Sequence, residues 1–242
     1  MDVEKAPENT KAPKTGLMWR IAAGLGALLV IGVLVWPLLN NRSENVPVST
    51  GASVVSSPTP DDILSAPEAT AQADPDSPEA QFELGNAYYQ AGRLENAVEA
   101  YRAAIELDPN YQAAYANLGV AYYQLEQFEL AARQYEKAIE LDPQDGDVAY
   151  NLGALYLQQA LSQEGEQPDR ELLSQALAQL ERAQEISPNL AEPHFTLGVA
   201  YLFLNDPVQA RESFETFLSL GAGQDARARQ EAERYLEMLD SQ

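Results

Sequence analysis

A Leu-Gly pair at Leu84-Gly85 returns as Leu118-Gly119, 34 residues later. Tyr88, Ala97, Tyr101, Ala104 and Pro109 return at the same offset as Tyr122, Ala131, Tyr135, Ala138 and Pro143. A period of this length is one supersecondary unit that cannot bury its apolar face alone, so it stacks on copies of itself into a solenoid. Within a unit, Gln81, Leu84, Gly85 and Tyr88 fall at i, i+3, i+4 and i+7, one face of a helix. Gly85 has no side chain, so a partner helix can come close. Ala97 and Ala104 allow the same approach from the second helix, and Tyr101 fills the space between them. Asp108-Pro109 and Asp142-Pro143 then stop the helices, because proline cannot continue one and restricts the residue before it.

The pattern of Leu-Gly, a Tyr, a small Ala, an aromatic, another Ala and a closing Pro resembles the tetratricopeptide repeat family. Less regular copies follow. Leu152-Gly153 and Tyr156 open a third, closed by Ala176, Leu180, Ala183 and Pro188. The distance from Leu152 to Ala176 is 24 residues against 13 from Leu84 to Ala97, and the eleven extra residues are expected in the hairpin turn near 162–169. Leu197-Gly198, Tyr201, Ala210 and Phe214 make a fourth copy, in which Phe217 and Ala222 replace the second Ala and the Pro. The segment from Gln224 onward, with Ala226, Tyr235, Leu236 and Leu239 as its apolar positions, reads as a capping helix. The expected fold is all-α. It is a tetratricopeptide-repeat solenoid of about four helical hairpins (78–111, 112–145, 146–190 with the insertion, 191–222) and a capping helix over 224–240, within a repeat domain over 78–242.

Ahead of the repeats, residues 21–39 carry nineteen consecutive uncharged and mostly apolar residues. With Leu17, Met18 and Trp19 this is long enough to cross a hydrocarbon core of about 30 Å. Trp19 and Trp36 stand near its ends, where amphipathic rings prefer the membrane interface. A transmembrane anchor is expected over 17–39, following a tail over 1–16. Lys5, Lys11, Lys14 and Arg20 precede the span and only Arg42 closely follows it. The positive-inside bias therefore leaves the amino terminus in the cytoplasm and the repeats outside it, and the compact layout of anchor, tether and repeats is read as that of a single-pass protein of a bacterial cell membrane. Residues 40–77 are rich in Ser, Pro, Thr, Ala and Asp without apolar periodicity, and read as a flexible, disordered tether.

The formal charge of the chain is −22. From residue 78 onward 28 Asp and Glu face 10 Arg and Lys, a balance of −18. Nucleic acid is excluded as an expected partner, because a phosphate backbone requires a cationic surface. Basic protein segments fit that charge better. The chain has no cysteine, which removes disulfides, thiol chemistry and cysteine-held metals.

No catalytic constellation stands out, and an enzyme and a cofactor are not expected. The only histidine, His194, occupies the slot equivalent to Gln81 and Tyr115 and reads as a packing residue. Asp142, Asp145 and Asp147 lack the later bidentate glutamate of a calcium loop and read as helix punctuation. The family resemblance implies instead a concave groove lined by the first helices, which holds a peptide or protein segment. The candidate contacts are Phe82, Asn86, Tyr89 and Gln90; Ala116, Asn117, Val120, Tyr123 and Gln124; Tyr150, Asn151, Leu157 and Gln158; and Phe195, Val199, Leu202 and Phe203. Aromatics there supply contact area and amides pair with a peptide backbone. Asn117 and Asn151, directly before Leu-Gly, resemble the amide ladder of O-linked N-acetylglucosamine transferase repeats, which Glu83 and Thr196 interrupt. Phe82, Ala116, Tyr150 and Phe195 stand where chaperone-clamping repeats place lysine, so a carboxylate clamp is not expected on this face. The expected role is a membrane-anchored interaction scaffold. The alternatives are an assembly factor or co-chaperone for membrane complexes, a homo-oligomeric structural element, and an accessory subunit of an enzyme.

Overall fold

Proline or a side-chain cap marks where many of the helices begin. Thr59 and Asp62 form a reciprocal capping box, Ser77 accepts from the amide of Ala80, Asp145 from that of Val148 and Asp206 from that of Gln209. Pro60, Pro78 and Pro207 occupy the first helical turn, where a missing N–H costs nothing. The computed structural model describes residues 59–162, 167–221 and 226–241. Among the described residues there are ten helices and no strand. They are α1 (Pro60–Ala73), α2 (Pro78–Gln90), α3 (Leu94–Leu107), α4 (Gln112–Gln124), α5 (Phe128–Leu141), α6 (Gly146–Leu161), α7 (Arg170–Ile186), α8 (Ala191–Leu204), α9 (Pro207–Ser219) and α10 (Ala226–Asp240).

The helices pair as α2/α3, α4/α5, α6/α7 and α8/α9, and each pair stacks on the next, with α10 against α9. Close approach at the Leu-Gly positions holds each pair together. A Cβ on Gly85 would sit 2.5 Å from the Tyr101 ring, and one on Gly119 2.6 Å from the Tyr135 ring. Leu180 at Gly153 and Phe214 at Gly198 fill the same space in the less regular copies. The Asp-Pro stops have a local cause as well. Asp108 and Asp142 each accept, through the side chain, the amide two residues on, at 2.9 Å. This turn holds the chain out of the helix.

Two expectations are corrected. Part of the stretch read as a flexible tether, 60–73, is helix α1, packed on α2. Leu64 is 2% exposed and Ala71 6%. Burying a leucine side chain gives about 1.5–3 kcal/mol, enough to hold a polar helix against its neighbour. Asp74-Pro75 precedes Asp108-Pro109 by one period, so α1 takes the place of a second helix in an earlier unit. The second correction concerns the eleven extra residues of the third unit. α6 has 16 residues where α2 and α4 have 13, and α7 has 17 where α3 and α5 have 14. Each helix gains nearly a turn, and only the rest lengthens the connection over 162–169. Ala160, within the added residues of α6, is buried where a longer loop would have left it in water.

The anchor expected over 17–39 lies outside the described residues, as do the tail and the tether before residue 59. Among the described residues no helix is long and apolar enough to cross a membrane. The capping helix forms with Ala228, Ala232, Tyr235 and Leu239 buried, while Ala226 is exposed.

Candidate functional site

The first helices α2, α4, α6 and α8 carry the candidate contacts, and burial divides these sharply. Gln90 is exposed, and Phe82, Asn86, Tyr89, Val120, Gln124, Asn151, Gln158 and Phe203 are half-buried. Asn117, Tyr123, Tyr150, Leu157 and Phe195 are buried, as are Ala116, Val199 and Leu202. The buried group lies mainly toward the carboxyl end. Tyr150, Leu157, Phe195, Val199 and Leu202 all belong to one core cluster with Phe214 and Phe217. α6 and α8 touch directly there. Large apolar side chains on neighbouring first helices close on one another instead of facing a ligand, since contact removes both from water. Tyr150, Leu157 and Phe195 are therefore core residues and not ligand contacts.

Hydrogen bonds between repeats take up several of the remaining polar groups. The Asn117 amide donates to Asn86 Oδ1 at 2.8 Å, and the Tyr101 hydroxyl donates to the same oxygen at 2.9 Å. Gln124 Nε2 donates to the Tyr89 hydroxyl at 3.4 Å, and the Tyr123 hydroxyl donates to Gln158 Oε1. The last two pairs are 35 residues apart, one period plus one residue, so a tyrosine meets a glutamine twice along the inner row, with donor and acceptor exchanged. The Thr196 hydroxyl donates to the Glu192 carbonyl oxygen of its own helix at 3.0 Å. The expected ladder of Asn117 and Asn151 is thus not a pair of equivalent rungs: Asn117 is committed to Asn86, while Asn151 stays half-buried. Asn86, Asn151 and Gln158 keep amide N–H groups that no described residue accepts. The candidates that stay exposed or half-buried are Phe82, Asn86, Tyr89 and Gln90, then Val120 and Gln124, then Asn151 and Gln158, with Phe203 at the end of this inner row.

Burial of tyrosine phenols at the repeat junctions sets a pH dependence. Burial pushes the Tyr123 phenol up to about 12, against a small lowering by its bond to Gln158. Burial, then the bond to Glu181 and its charge, pushes Tyr201 up to about 12. Tyr150 and Tyr156 are raised further, chiefly by burial. An unfolded tyrosine titrates near about 10. The native state therefore holds these protons more tightly. The stability this contributes is fully present below about pH 10 and is lost as pH rises through about 12. An alkaline titration followed by ultraviolet absorbance should show delayed tyrosinate formation that coincides with loss of helical circular dichroism. Full ionisation near pH 10 with the helices intact would contradict the burial described.

The remaining sequence candidates are structural. His194 is buried, with Nε2 against the Pro188 carbonyl oxygen at 3.3 Å. Asp145 caps α6 and accepts from Gln112 Nε2 at 2.7 Å, and Asp142 makes its turn, as helix punctuation requires. Among the described residues no group of three or more His, Cys, Asp or Glu is placed to hold a metal.

Residues 85–126 match a TPR repeat family model, and 113–145 and 134–169 match tetratricopeptide repeat models. Similar solved structures include a crystal structure of MamA, 23% identical with a TM-score of 0.59, over 68% of this chain and 90% of that one. MamA from residue 41 to its end, from Desulfovibrio magneticus RS-1, is 22% identical with a TM-score of 0.58, over 83% of this chain and 97% of that one. A thermophilic TPR protein in Thermus thermophilus is 24% identical with a TM-score of 0.53, over 67% of this chain and 83% of that one. At these identities the likeness is one of fold. No curated protein matches the sequence.

Proposed function

Starting from a chain that carries tetratricopeptide repeats, we propose that it is a membrane-anchored interaction scaffold that holds an extended segment of a partner protein along its first helices. The observation that carries this reading is the inner row itself. Phe82, Tyr89, Val120 and Phe203 offer partly exposed apolar surface, and Asn86, Asn151 and Gln158 offer unused amide donors beside them. Aromatic and aliphatic area gives a peptide its affinity, and amide donors take its backbone carbonyls. The inter-repeat ties hold that row rigid, so little side-chain entropy is lost on binding. The apolar run over 17–39 and the lysines before it support an anchor with the repeats on the outer side of a cell membrane.

The test uses the full chain as bait against extracts of its own cells. A variant with Tyr89→Ala, Val120→Arg and Phe203→Ala should lose a partner that the unaltered chain captures, and helical circular dichroism should stay unchanged. Equal capture by both would overturn the placement of the site. A structural role for these residues would show instead as lost helicity.

A further inference from the structure

Of the junctions α1/α2, α3/α4, α5/α6 and α7/α8, three are tied by the same hydrogen bond. Tyr88 donates to Glu68 at 3.1 Å, Tyr156 to Glu136 at 2.6 Å and Tyr201 to Glu181 at 2.9 Å, and in each pair the residues are 20 apart. At α3/α4 the tyrosine is Tyr122, and the residue 20 before it is Arg102. A donor thus stands where the other junctions place an acceptor. Neither the Arg102 guanidinium nor the Tyr122 hydroxyl is hydrogen-bonded or ion-paired to a described residue. Glu106, one turn further along α3, makes no ion pair with Arg102 either. Both donors line a groove of about 390 Å³ together with Ile105, Glu106, Tyr115, Leu118 and Gln134.

The chemistry of this groove specifies its ligand. A guanidinium has only donors, in a planar fork that matches a carboxylate, and the phenol adds one more donor. A carboxylate between them would complete the junction as Glu68, Glu136 and Glu181 complete theirs, with the acid supplied from outside the chain. Half-buried Ile105 adds apolar wall over the buried Leu118, which suits a carboxylate carried on a protein segment better than a free anion. The surrounding domain is acidic, but distant charges are screened beyond about 8 Å at physiological ionic strength. Close to Arg102, only Glu106 among the lining residues opposes an anion. Tyr115, Leu118 and Tyr122 lie on a different face of α4 from Val120, Tyr123 and Gln124, so this groove is separate from the inner row.

We propose that the groove between α3, α4 and α5 seats an aspartate or glutamate side chain of a partner protein, held by Arg102 and Tyr122 with apolar neighbours against Ile105. The probe is a dye-labelled acetyl-Leu-Glu-Leu peptide, read by fluorescence anisotropy with the full chain, beside its Leu-Gln-Leu counterpart and sodium acetate as competitor. The glutamate peptide should bind at least about tenfold more tightly than the glutamine peptide, the factor expected for a hydrogen-bonded charge. Arg102→Glu should abolish binding with helicity and melting temperature retained or raised, because it supplies the missing acid to Tyr122 from within. Tyr122→Phe should weaken binding severalfold, and Tyr89→Ala on the inner row should leave it unchanged. Equal binding of the two peptides, or undiminished binding to Arg102→Glu, would overturn the proposal. So would acetate displacing the peptide at equal concentration, which would make the groove a small-anion site only.

Discussion

Gly119→Val is expected to destabilise the chain by about 3 kcal/mol or more, the upper range for overpacking a core. Intrinsic helix propensity argues the other way, since glycine in a helix interior is the poorer residue by a few tenths of a kcal/mol. Packing decides the sign. The first added carbon would meet the Tyr135 ring at 2.6 Å, and Tyr135 is 1% exposed, with no open side to move into. Valine adds two more carbons and a stiff χ1. The helices α4 and α5 would have to separate, which also weakens their contacts with α3 and α6. Thermal denaturation followed by circular dichroism checks this. A melting temperature equal to that of the unaltered chain would mean that the close approach is not what joins the hairpin.

Phe214→Ala is expected to cost about 3–5 kcal/mol, the range for deleting a buried aromatic ring. Phe214 is 0% exposed. It lies stacked on Tyr235 at 5.1 Å between ring centroids and edge-on to Phe195 at 5.7 Å. The residue thus joins α8 to α9 and the terminal pair to its cap. In a solenoid each unit contacts only its neighbours, so the damage should stay near the carboxyl end. Hydrogen exchange should show lost protection in α8, α9 and α10 with α2 to α5 retained. Uniform loss along the whole chain would contradict the nearest-neighbour picture.

How much of this was legible in the sequence differs between the backbone and the surface. The hairpins and their order followed from Leu-Gly, Ala and Pro at fixed spacing, because those residues act through backbone geometry and close approach within one unit. α1 was missed because its composition is polar and proline-bearing, although Asp74-Pro75 lies one period before Asp108-Pro109 and was the available signal. The extension of α6 and α7 was read as loop because a residue count gives the length of an insertion and not its conformation. The candidate site fared unevenly for a related reason. Phe82 and Tyr89 remain half-buried, while Tyr150 and Phe195, equivalent in the period to Phe82, and Leu157, equivalent to Tyr89, are buried. The period places all of them on one helical face, and which face meets water depends on how tightly neighbouring units close.

The sequence by itself determined the repeat, its helical hairpins, the glycine contacts within them and the acidic charge of the domain, since each depends on residues that are near in the chain or on simple counting. Only the tertiary structure decided which inner-row residues became core, that Tyr123 and Gln158 tie repeats together, and that Arg102 and Tyr122 stand as two donors with no acceptor among the described residues. Those outcomes depend on side chains from different units meeting across a packed junction, where burial and hydrogen bonding compete for the same groups.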